Sequence, residues 1–339
     1  MFRAIAAVLS LLASSQVSAQ HRSATPQTTS PPLVDEIVVV GRRSGPPLWK
    51  VSSGKHLLWI LGTPDLVPKD LDWLSGRVLE TLGDSQEYLL PPSFGIQISG
   101  PIAAARAWKK VKQSRKNADN ATLEEVLPAP LYELFSETKQ LYAPKRDDLE
   151  ELRPSYAADK LFDQATRDAG LISDRRIRES LKKQAKRNGV RIVWSSTYAK
   201  LKSMKTVLEP IADSSPEAEL RCMEAKLGDL ELRLERYISD ALAWADGDLA
   251  PLLARHSGQM LEDVCAVTAL MTGPVPAEMK ELEAKSRTLW LESVDRALLN
   301  NDSSFASLPI GELLRADGLL SHLQHRGYDV EEPSVERND

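Results

Sequence analysis

Apolar runs with the character of β-strands occur near both ends of the chain, and helical patterns fill the long stretch between them. The runs at 48–51 and 57–61 flank a turn sequence, SSGK, and together predict a hairpin. A third strand is predicted at 87–90, where two prolines stop it. Further strands are predicted at 304–308 and 328–330. We therefore predict a helix-rich α/β fold whose central sheet is built from strands at both chain ends, with a large helical middle.

The helical middle is predicted from apolar residues that recur at three- and four-residue steps. The clearest case is 216–245, where such steps place a row of apolar side chains on one helix face. One strand, 190–194, is predicted inside this stretch. The predicted helices are 71–82, 101–116, 122–127, 131–142, 154–169, 173–188, 216–245, 257–271, 276–300 and 312–324.

The first 19 residues resemble a cleavable signal peptide. Arg3 supplies a positive charge, an apolar run follows from Ala4 to Ala13, and Val17-Ser18-Ala19 offers small residues for cleavage. The apolar run is too short to span a bilayer, which needs about 20 residues. We therefore expect an exported protein, periplasmic or secreted, that does not span the membrane.

Residues 20–45 are predicted to be a flexible linker, because Ser, Thr, Gln and Pro dominate its first half. Within it, the short β-prone segment 35–40 (DEIVVV) resembles the TonB boxes of outer-membrane receptors. Such a strip could add to the sheet edge of an envelope protein, or it could be an edge strand of this chain's own domain. The folded domain is expected to occupy 46–333.

The charge balance argues against nucleic acid as a partner. The chain has 43 basic and 48 acidic residues and a net charge of −5, whereas phosphate binding needs a basic surface. Two basic clusters do occur, at 106–116 and 175–191. Each is either a solvated helix face or a site for an anionic partner such as lipopolysaccharide or an acidic glycan.

Cys222 and Cys265 are the two cysteines of the chain. In an oxidising compartment an isolated pair predicts one disulfide, which could add up to roughly 4 kcal/mol of stability on the chain-entropy model. Two buried free thiols are the alternative. Neither cysteine lies in a CxxC or CxxH spacing, so a zinc site is not predicted.

Two segments carry a resemblance to a known family. The first is PPLWKVSSGKHLLWILGTPDLVPKDLDWLS at 46–75, and the second is DGLLSHLQHRGYDVEE at 317–332. The spacing of the apolar and aromatic residues in these segments, and the order of the segments along the chain, are similar to those of the TraB/GumN family, which includes the Tiki proteins. The resemblance implies two Gly-x-x-His motifs and a Glu at the end of the second core strand. It also implies a divalent metal ion held by these residues in a peptidase site.

This sequence departs from the family pattern at each of those positions. Asp65 and Glu312 stand where the two histidines are expected, and Pro91 stands at the place of the strand-ending Glu. In the late helix, where the family tends to have Arg-Asn before Trp290, this chain has Ser286-Arg287. If a catalytic or metal site remains, Asp65 and Glu312 are its candidates, because carboxylates bind Mg, Ca or Mn and can divide acid and base roles.

Two functions therefore stand open at the level of sequence. The first is a non-catalytic, exported TraB/GumN-like protein with a binding or envelope-assembly role, for which no metal cofactor is expected. The second is a divergent hydrolase or peptidase that depends on a divalent metal and uses Asp65 and Glu312. The substitutions across the whole set favour the first.

Overall fold

The computed structural model describes residues 45–98, 100–201, 215–256 and 277–333, and these residues form a helix-rich α/β structure with one main sheet. The predicted fold class is confirmed. The strands are β1 (Leu48–Ser53), β2 (His56–Thr63), β3 (Leu66–Pro68), β4 (Glu87–Leu89), β5 (Ser93–Ile98), β6 (Leu171–Ser173), β7 (Arg191–Val193), β8 (Ser196–Leu201), β9 (Ser303–Pro309) and β10 (Asp329–Glu331).

The helices lie mostly between β5 and β9. They are α1 (Gly76–Gly83), α2 (Pro101–Ser114), α3 (Leu123–Val126), α4 (Ala129–Tyr142), α5 (Pro154–Asp168), α6 (Arg175–Arg187), α7 (Pro216–Leu227), α8 (Leu230–Asp246), α9 (Ala250–His256), α10 (Ala277–Asn300), α11 (Ile310–Leu314) and α12 (Leu319–His325), with 3₁₀ turns at Ala118–Asn120 and Asp147–Leu149.

The main sheet has the strand order β10-β1-β2-β9-β4-β7, so strands from both ends of the chain interleave. The hairpin of β1 and β2 is antiparallel, and β10 adds antiparallel to β1. The strands β2, β9, β4 and β7 are all parallel. In β9, every residue from Ser304 to Leu308 is buried, as expected for a central strand covered on both faces.

Two small sheets extend the main one. The strands β3 and β6 pair antiparallel, and β5 and β8 pair parallel. The second pair continues the direction of β4 and β7 beyond a short interruption, because Leu90 N–H donates to Val193 O and Ser93 N–H donates to Ser195 O. The strands β3, β5, β6 and β8 were not predicted from the sequence. Each of the four lies in a two-stranded sheet, and β3 and β6 have only three residues each, too few to show an alternating pattern.

The sheet and the helical middle of the chain have separate hydrophobic cores. The main cluster surrounds the large sheet and includes three tryptophans from different elements, Trp49, Trp244 and Trp290. A second cluster joins α3, α4, α5 and α7, with Phe135 and Leu161 fully buried in it. The helical middle therefore has a core of its own beside that of the sheet.

Three predicted helices differ from those observed. The predicted helix 71–82 begins only at Gly76, because Ser75 caps it by accepting a hydrogen bond from Val78 N–H (3.4 Å). The predicted helix 216–245 is two helices, α7 and α8, separated at Gly228-Asp229. The predicted helix 312–324 is also two, α11 and α12, with a break at 315–318.

Other predictions lie outside the described residues. They are the signal peptide, the linker with its segment 35–40, the helix 257–271 and the residue Cys265. Cys222 is buried in α7. The disulfide between Cys222 and Cys265 therefore stays a prediction. Within the described residues no helix is long and apolar enough to cross a membrane.

Candidate functional site

The positions singled out in the sequence lie at one edge of the main sheet. Because β2, β9 and β4 are parallel, their carboxyl ends meet at this edge, and Thr63 pairs with Pro309 across β2 and β9. Asp65 follows the end of β2, Glu312 follows β9 within α11, and Pro91 follows β4. The carboxyl edge of a parallel sheet is where ligands commonly bind in α/β folds.

Glu312 is held by two groups that belong to the fold. The Arg287 guanidinium, from α10, lies 2.6 Å from Glu312 Oε1, and both side chains are only 17% exposed. The same oxygen accepts a hydrogen bond from Leu319 N–H at the start of α12 (3.0 Å). Arg287 also donates to the carbonyl of Asp317 (2.8 Å). The carboxylate therefore joins α10, α11 and α12.

The backbone of Asp65 is bonded to a different part of the protein. Its carbonyl accepts a hydrogen bond from Asp174 N–H (3.0 Å), which ties the end of β2 to the start of α6. Arg178 lies 3.1 Å from the Asp174 carboxylate. Burial raises the pKa of Asp174, Arg178 opposes that rise, and the negative charge of Asp65 adds to it. The charges of Asp65 and Asp174 are therefore close enough to interact, which was not predicted from the sequence.

Pro91 lies in the interruption between β4 and β5. Proline has no backbone N–H, and with Pro92 it ends the pairing of β4 with the main sheet. The predicted strand end is therefore confirmed at this place. Pro91 supplies no side-chain oxygen or nitrogen that could bind a ligand.

Two hydroxyl groups lie side by side within the sheet near this edge. Tyr88 in β4 and Ser307 in β9 share a hydrogen bond of 2.7 Å, and both residues are buried. Burial raises the pKa of Tyr88 above its ordinary value of 10, so its hydroxyl ionises even less readily than that of an exposed tyrosine. The pair satisfies two polar groups in the core and joins neighbouring strands.

The metal chemistry that the resemblance implies does not fit these residues. Pro91 offers no ligand, and Glu312 Oε1 already binds the Arg287 guanidinium and Leu319 N–H. Among the residues that the structure describes, no group of three or more His, Cys, Asp or Glu side chains could hold a metal ion. The candidates Asp65 and Glu312 thus lie at one sheet edge, but the Glu312 carboxylate already has an arginine and a backbone N–H as partners.

The residues that carry the sequence resemblance have structural roles. Trp49 packs over Gly62, where a Cβ atom would approach its ring to 2.6 Å. Trp73 packs on Trp244, with ring centroids 5.7 Å apart, and Trp244 Nε1–H donates to the Gly62 carbonyl (2.7 Å). The first segment therefore builds the packing around the end of β2.

The closing segment is anchored in the same way. The Tyr328 hydroxyl donates to Asp295 on α10 (2.8 Å), and Arg326 forms an ion pair with the same carboxylate. Burial, together with the hydrogen bond to Asp295, raises the pKa of Tyr328 to about 12. These contacts attach α12 and β10 to the long helix α10.

A comparison with protein-family models matches residues 47–332 to the TraB/PrgY/gumN family. The chain belongs to this family. No curated protein and no solved structure matches it. In this TraB/PrgY/gumN protein, the two segments that carry the resemblance pack the core and anchor the end of the chain. The positions where the resemblance implies site residues are occupied by Asp65, Pro91 and Glu312.

Three residues of this TraB/PrgY/gumN site were not assigned a role from sequence. Arg287 had been noted only as a departure from the family pattern, and it forms the ion pair of Glu312. Asp174 and Arg178 lie at the start of a basic helix, where their charges resemble a solvated face. Their proximity to Asp65 depends on the pairing of β3 with β6, which the sequence analysis did not predict.

Proposed function

We propose that this TraB/PrgY/gumN protein is exported and acts without catalysis, in binding or in the assembly of the cell envelope. The observation that supports the proposal is the ion pair of Arg287 and Glu312. A guanidinium is a permanent cation, and its hydrogen bond to a carboxylate is among the strong ones. Arg287 therefore neutralises the negative charge of the Glu312 carboxylate, which a metal ion would need for binding.

The distribution of substitutions supports the same proposal. Glu312 and Arg287 both depart from the family pattern, and they compensate each other in charge and in hydrogen bonding. A position under selection for metal binding would not be expected to recruit a cation as its partner. Trp49, Gly62 and Tyr328, by contrast, keep packing and hydrogen-bonding roles that any member with this fold needs.

The test is a metal-binding and peptide-cleavage measurement on the purified chain. We expect no tight equivalent of Mn or Co and no cleavage that these ions stimulate. The variants Asp65→Ala and Glu312→Ala should behave as the parent does in this assay. Two exposed carboxylates provide matched controls, Asp70→Ala and Glu332→Ala.

One result would refute the non-catalytic function. It is Mn- or Co-dependent cleavage that either site variant abolishes while both control variants retain it. Such a result would have to come with an unchanged thermal transition in the site variants, because loss of the Glu312 ion pair could also act through stability.

Export is proposed from the sequence of the first 19 residues. We expect the protein recovered from the cell envelope to have the intact mass of a chain that begins at Gln20. Mass spectrometry without reduction should also find Cys222 and Cys265 bonded to each other. A species that begins at Met1 contradicts the cleavage, and two thiols that alkylate in the native protein contradict the disulfide.

The second candidate function, a divergent metal-dependent hydrolase, is favoured by one observation. Asp65 lies beside Asp174, whose pKa burial raises. Two carboxylates in different environments can serve as acid and base. If cleavage is found, Asp174→Asn and Asp65→Asn should each abolish it, and Glu312→Gln should not. That pattern would assign the chemistry to Asp65 and Asp174.

A further inference from the structure

The helix α2 (Pro101–Ser114) is the least buried long helix among the described residues. Ala107 is its one buried residue. Ile102 is 68% exposed and Trp108 is 67% exposed. An isolated helix of this length is marginally stable in water, and most helices gain their stability by packing an apolar face. A partner surface for α2 would supply that packing.

The chain segment that contains α2 carries charge of one sign, although the Asp148 carboxylate lies near enough to Lys112 to interact with it. No acidic residue occurs between Glu87 and Asp119, although the whole chain has a net charge of −5. Four basic residues lie within the helix, and they are Arg106, Lys109, Lys110 and Lys112. Within the described part of the chain none of the four forms an ion pair with a carboxylate. The next two basic residues do have partners, since Arg115 lies over the Tyr156 ring and Lys116 pairs with Glu151.

A solvated basic face explains the lysines but not the two large apolar side chains among them. Tryptophan is enriched where proteins meet the membrane–water interface, because its ring is apolar and its N–H is polar. Lysine and arginine stems can lie along the same interface while their charges reach the lipid phosphates. The exposed side of α2 combines both kinds of residue.

The shape of α2 favours a flat partner. The helix is about 21 Å long, at 1.5 Å per residue. Most of its residues are exposed. A convex surface of this kind is complementary to the flat interface of a bilayer, where exposed apolar side chains can enter between lipids while neighbouring basic side chains contact the phosphates. Clusters of four to eight basic residues on such helices bind anionic lipids.

We propose that α2 is a peripheral membrane-binding element that attaches this protein to a bilayer containing anionic phospholipid. Trp108 and Ile102 enter the interface, and the four cations contact the phosphate layer. This function is independent of the proposed loss of catalysis, because a hydrolase would present α2 in the same way.

A second basic helix, α6, serves as the internal comparison. It also carries many lysines and arginines, but its apolar residues Ile177, Leu181 and Ala185 are buried. Two of its charges have partners on the same helix or at its start, since Lys182 pairs with Glu179 and Arg178 with Asp174. The helix α6 therefore has no exposed apolar residue within its own span, although the exposed Trp194 lies beside it with its ring centroid 5.4 Å from Lys182 Nζ. The comparison between the two helices thus tests whether an apolar residue on the helix itself is needed.

The experiment is co-sedimentation of the full chain with vesicles of phosphatidylcholine alone or mixed in equal parts with phosphatidylglycerol. We expect binding to the mixed vesicles and little binding to phosphatidylcholine. Raising the salt from about 0.05 M to about 0.5 M should weaken the binding, because exposed charges are screened. The N-terminal segment is common to every variant, so a difference between variants reports on the substituted helix.

The decisive variant is the triple substitution Lys109→Ala, Lys110→Ala and Lys112→Ala. Each basic residue near an anionic surface contributes about fivefold, so the triple variant should lose binding on the order of a hundredfold. Alanine is the best helix former, so α2 should remain helical, which circular dichroism can check. Trp108→Ala should weaken binding about tenfold, through the lost apolar area.

The matched control removes the same charge from α6, by Lys183→Ala, Lys186→Ala and Arg187→Ala. It should bind the mixed vesicles within about twofold of the parent. An equal loss in the control would overturn the proposal, because binding would then depend only on net charge. Binding that does not need phosphatidylglycerol would overturn it as well, and so would a parent that does not bind.

Depth of insertion gives a separate readout. Lipids with brominated chains quench tryptophan that enters the bilayer. Quenching should be present in the parent and reduced in Trp108→Phe, which keeps an aromatic ring and removes the fluorophore. Equal quenching in parent and variant would show that Trp108 stays in water and would contradict the proposed orientation.

Discussion

Gly62 lies where two side chains approach the backbone of β2 from other elements. A Cβ atom at this position would meet the Trp49 ring at 2.6 Å and Leu313 Cδ1 at 3.0 Å. The Gly62 carbonyl also accepts the Trp244 hydrogen bond of 2.7 Å, so the backbone cannot shift without loss of that bond. The requirement for glycine is therefore one of space.

We predict that Gly62→Ala destabilises the protein by about 2 kcal/mol, because overpacking a well-filled core costs roughly 1–3 kcal/mol. Chemical denaturation monitored by tryptophan fluorescence measures it. Gly76→Ala is the matched control, since its Cβ would meet only the Glu80 side chain at 3.8 Å. An effect of equal size in both variants would contradict the steric explanation.

Asp174 is the residue whose charge the fold favours least at the candidate site. Burial raises its pKa above the ordinary value of 3.8, and the Asp65 charge adds to that rise, although Arg178 opposes it. A carboxyl group with a raised pKa in the folded state is stabilising below its unfolded pKa. That stabilisation is lost as the pH rises through the folded value.

Asp174→Asn should therefore be more stable than the parent at neutral pH, and the difference should shrink as the pH falls toward about 3. Thermal unfolding of both proteins across this range measures it. Adding Asp65→Asn to both proteins should reduce the difference at neutral pH, because one cause of the raised pKa is removed. A difference that does not depend on pH would contradict the electrostatic explanation.

At the scale of elements, Asp295 on α10 is the anchor for the end of the chain. It accepts the Tyr328 hydroxyl at 2.8 Å and pairs with Arg326, so one carboxylate positions both α12 and β10. Hydrogen bonds to charged groups contribute about 1.5–3 kcal/mol, and the lower end applies here because Asp295 is 39% exposed.

We predict that Tyr328→Phe lowers the free energy of unfolding by about 1.5 kcal/mol and the melting temperature by about 3–6 °C. Tyr198→Phe is the control, because Tyr198 is 63% exposed and water can solvate its hydroxyl. Equal melting temperatures for the parent and Tyr328→Phe would mean that the hydroxyl is as well satisfied by water as by Asp295.

The elements that periodicity predicted well are those whose apolar face continues without interruption. The break between α7 and α8 was not visible, because apolar spacing runs through it while the backbone turns. Asp229 has a φ of 49°, and a Cβ on Gly228 would lie 2.9 Å from the Glu224 carbonyl. A hydrophobic pattern reports which face is buried and does not report backbone dihedral angles.

At the candidate site, too, some features could be predicted from the sequence and others could not. The resemblance singled out Asp65, Pro91 and Glu312, and the structure brings them to one sheet edge because the parallel strands before them end together. Their partners could not be predicted, since Arg287 and Asp174 are far from them in sequence, and contacts between distant charges depend on packing. The sequence therefore indicated the candidate positions, and tertiary structure determined their partners.

At the scale of the whole molecule, the main sheet cannot be completed until the end of the chain is present. The central strand β9 lies between β2 and β4, and its partners come from the first third of the sequence. Pairing of this kind closes a very long loop before it brings any stabilisation, which slows folding. A chain without β9 would leave two buried strands with open edges.

We predict that a fragment ending at residue 302 has no cooperative thermal transition, because it lacks β9 and with it the fully buried residues Phe305 and Leu308. Near-ultraviolet circular dichroism of the tryptophans measures this. The fragment should also bind a hydrophobic dye and aggregate on concentration, because β2 and β4 then expose unpaired edges.

A fragment ending at residue 328 separates loss of the central strand from loss of chain length. It lacks only the edge strand β10 of the main sheet and keeps the contact of Tyr328 with Asp295. Edge strands contribute fewer buried contacts, so this fragment should keep a cooperative transition at a lowered melting temperature. If the fragment ending at 302 unfolded cooperatively near the parent temperature, the helical core around Phe135 and Leu161 would be the stable unit. The sheet would then be an addition to that unit.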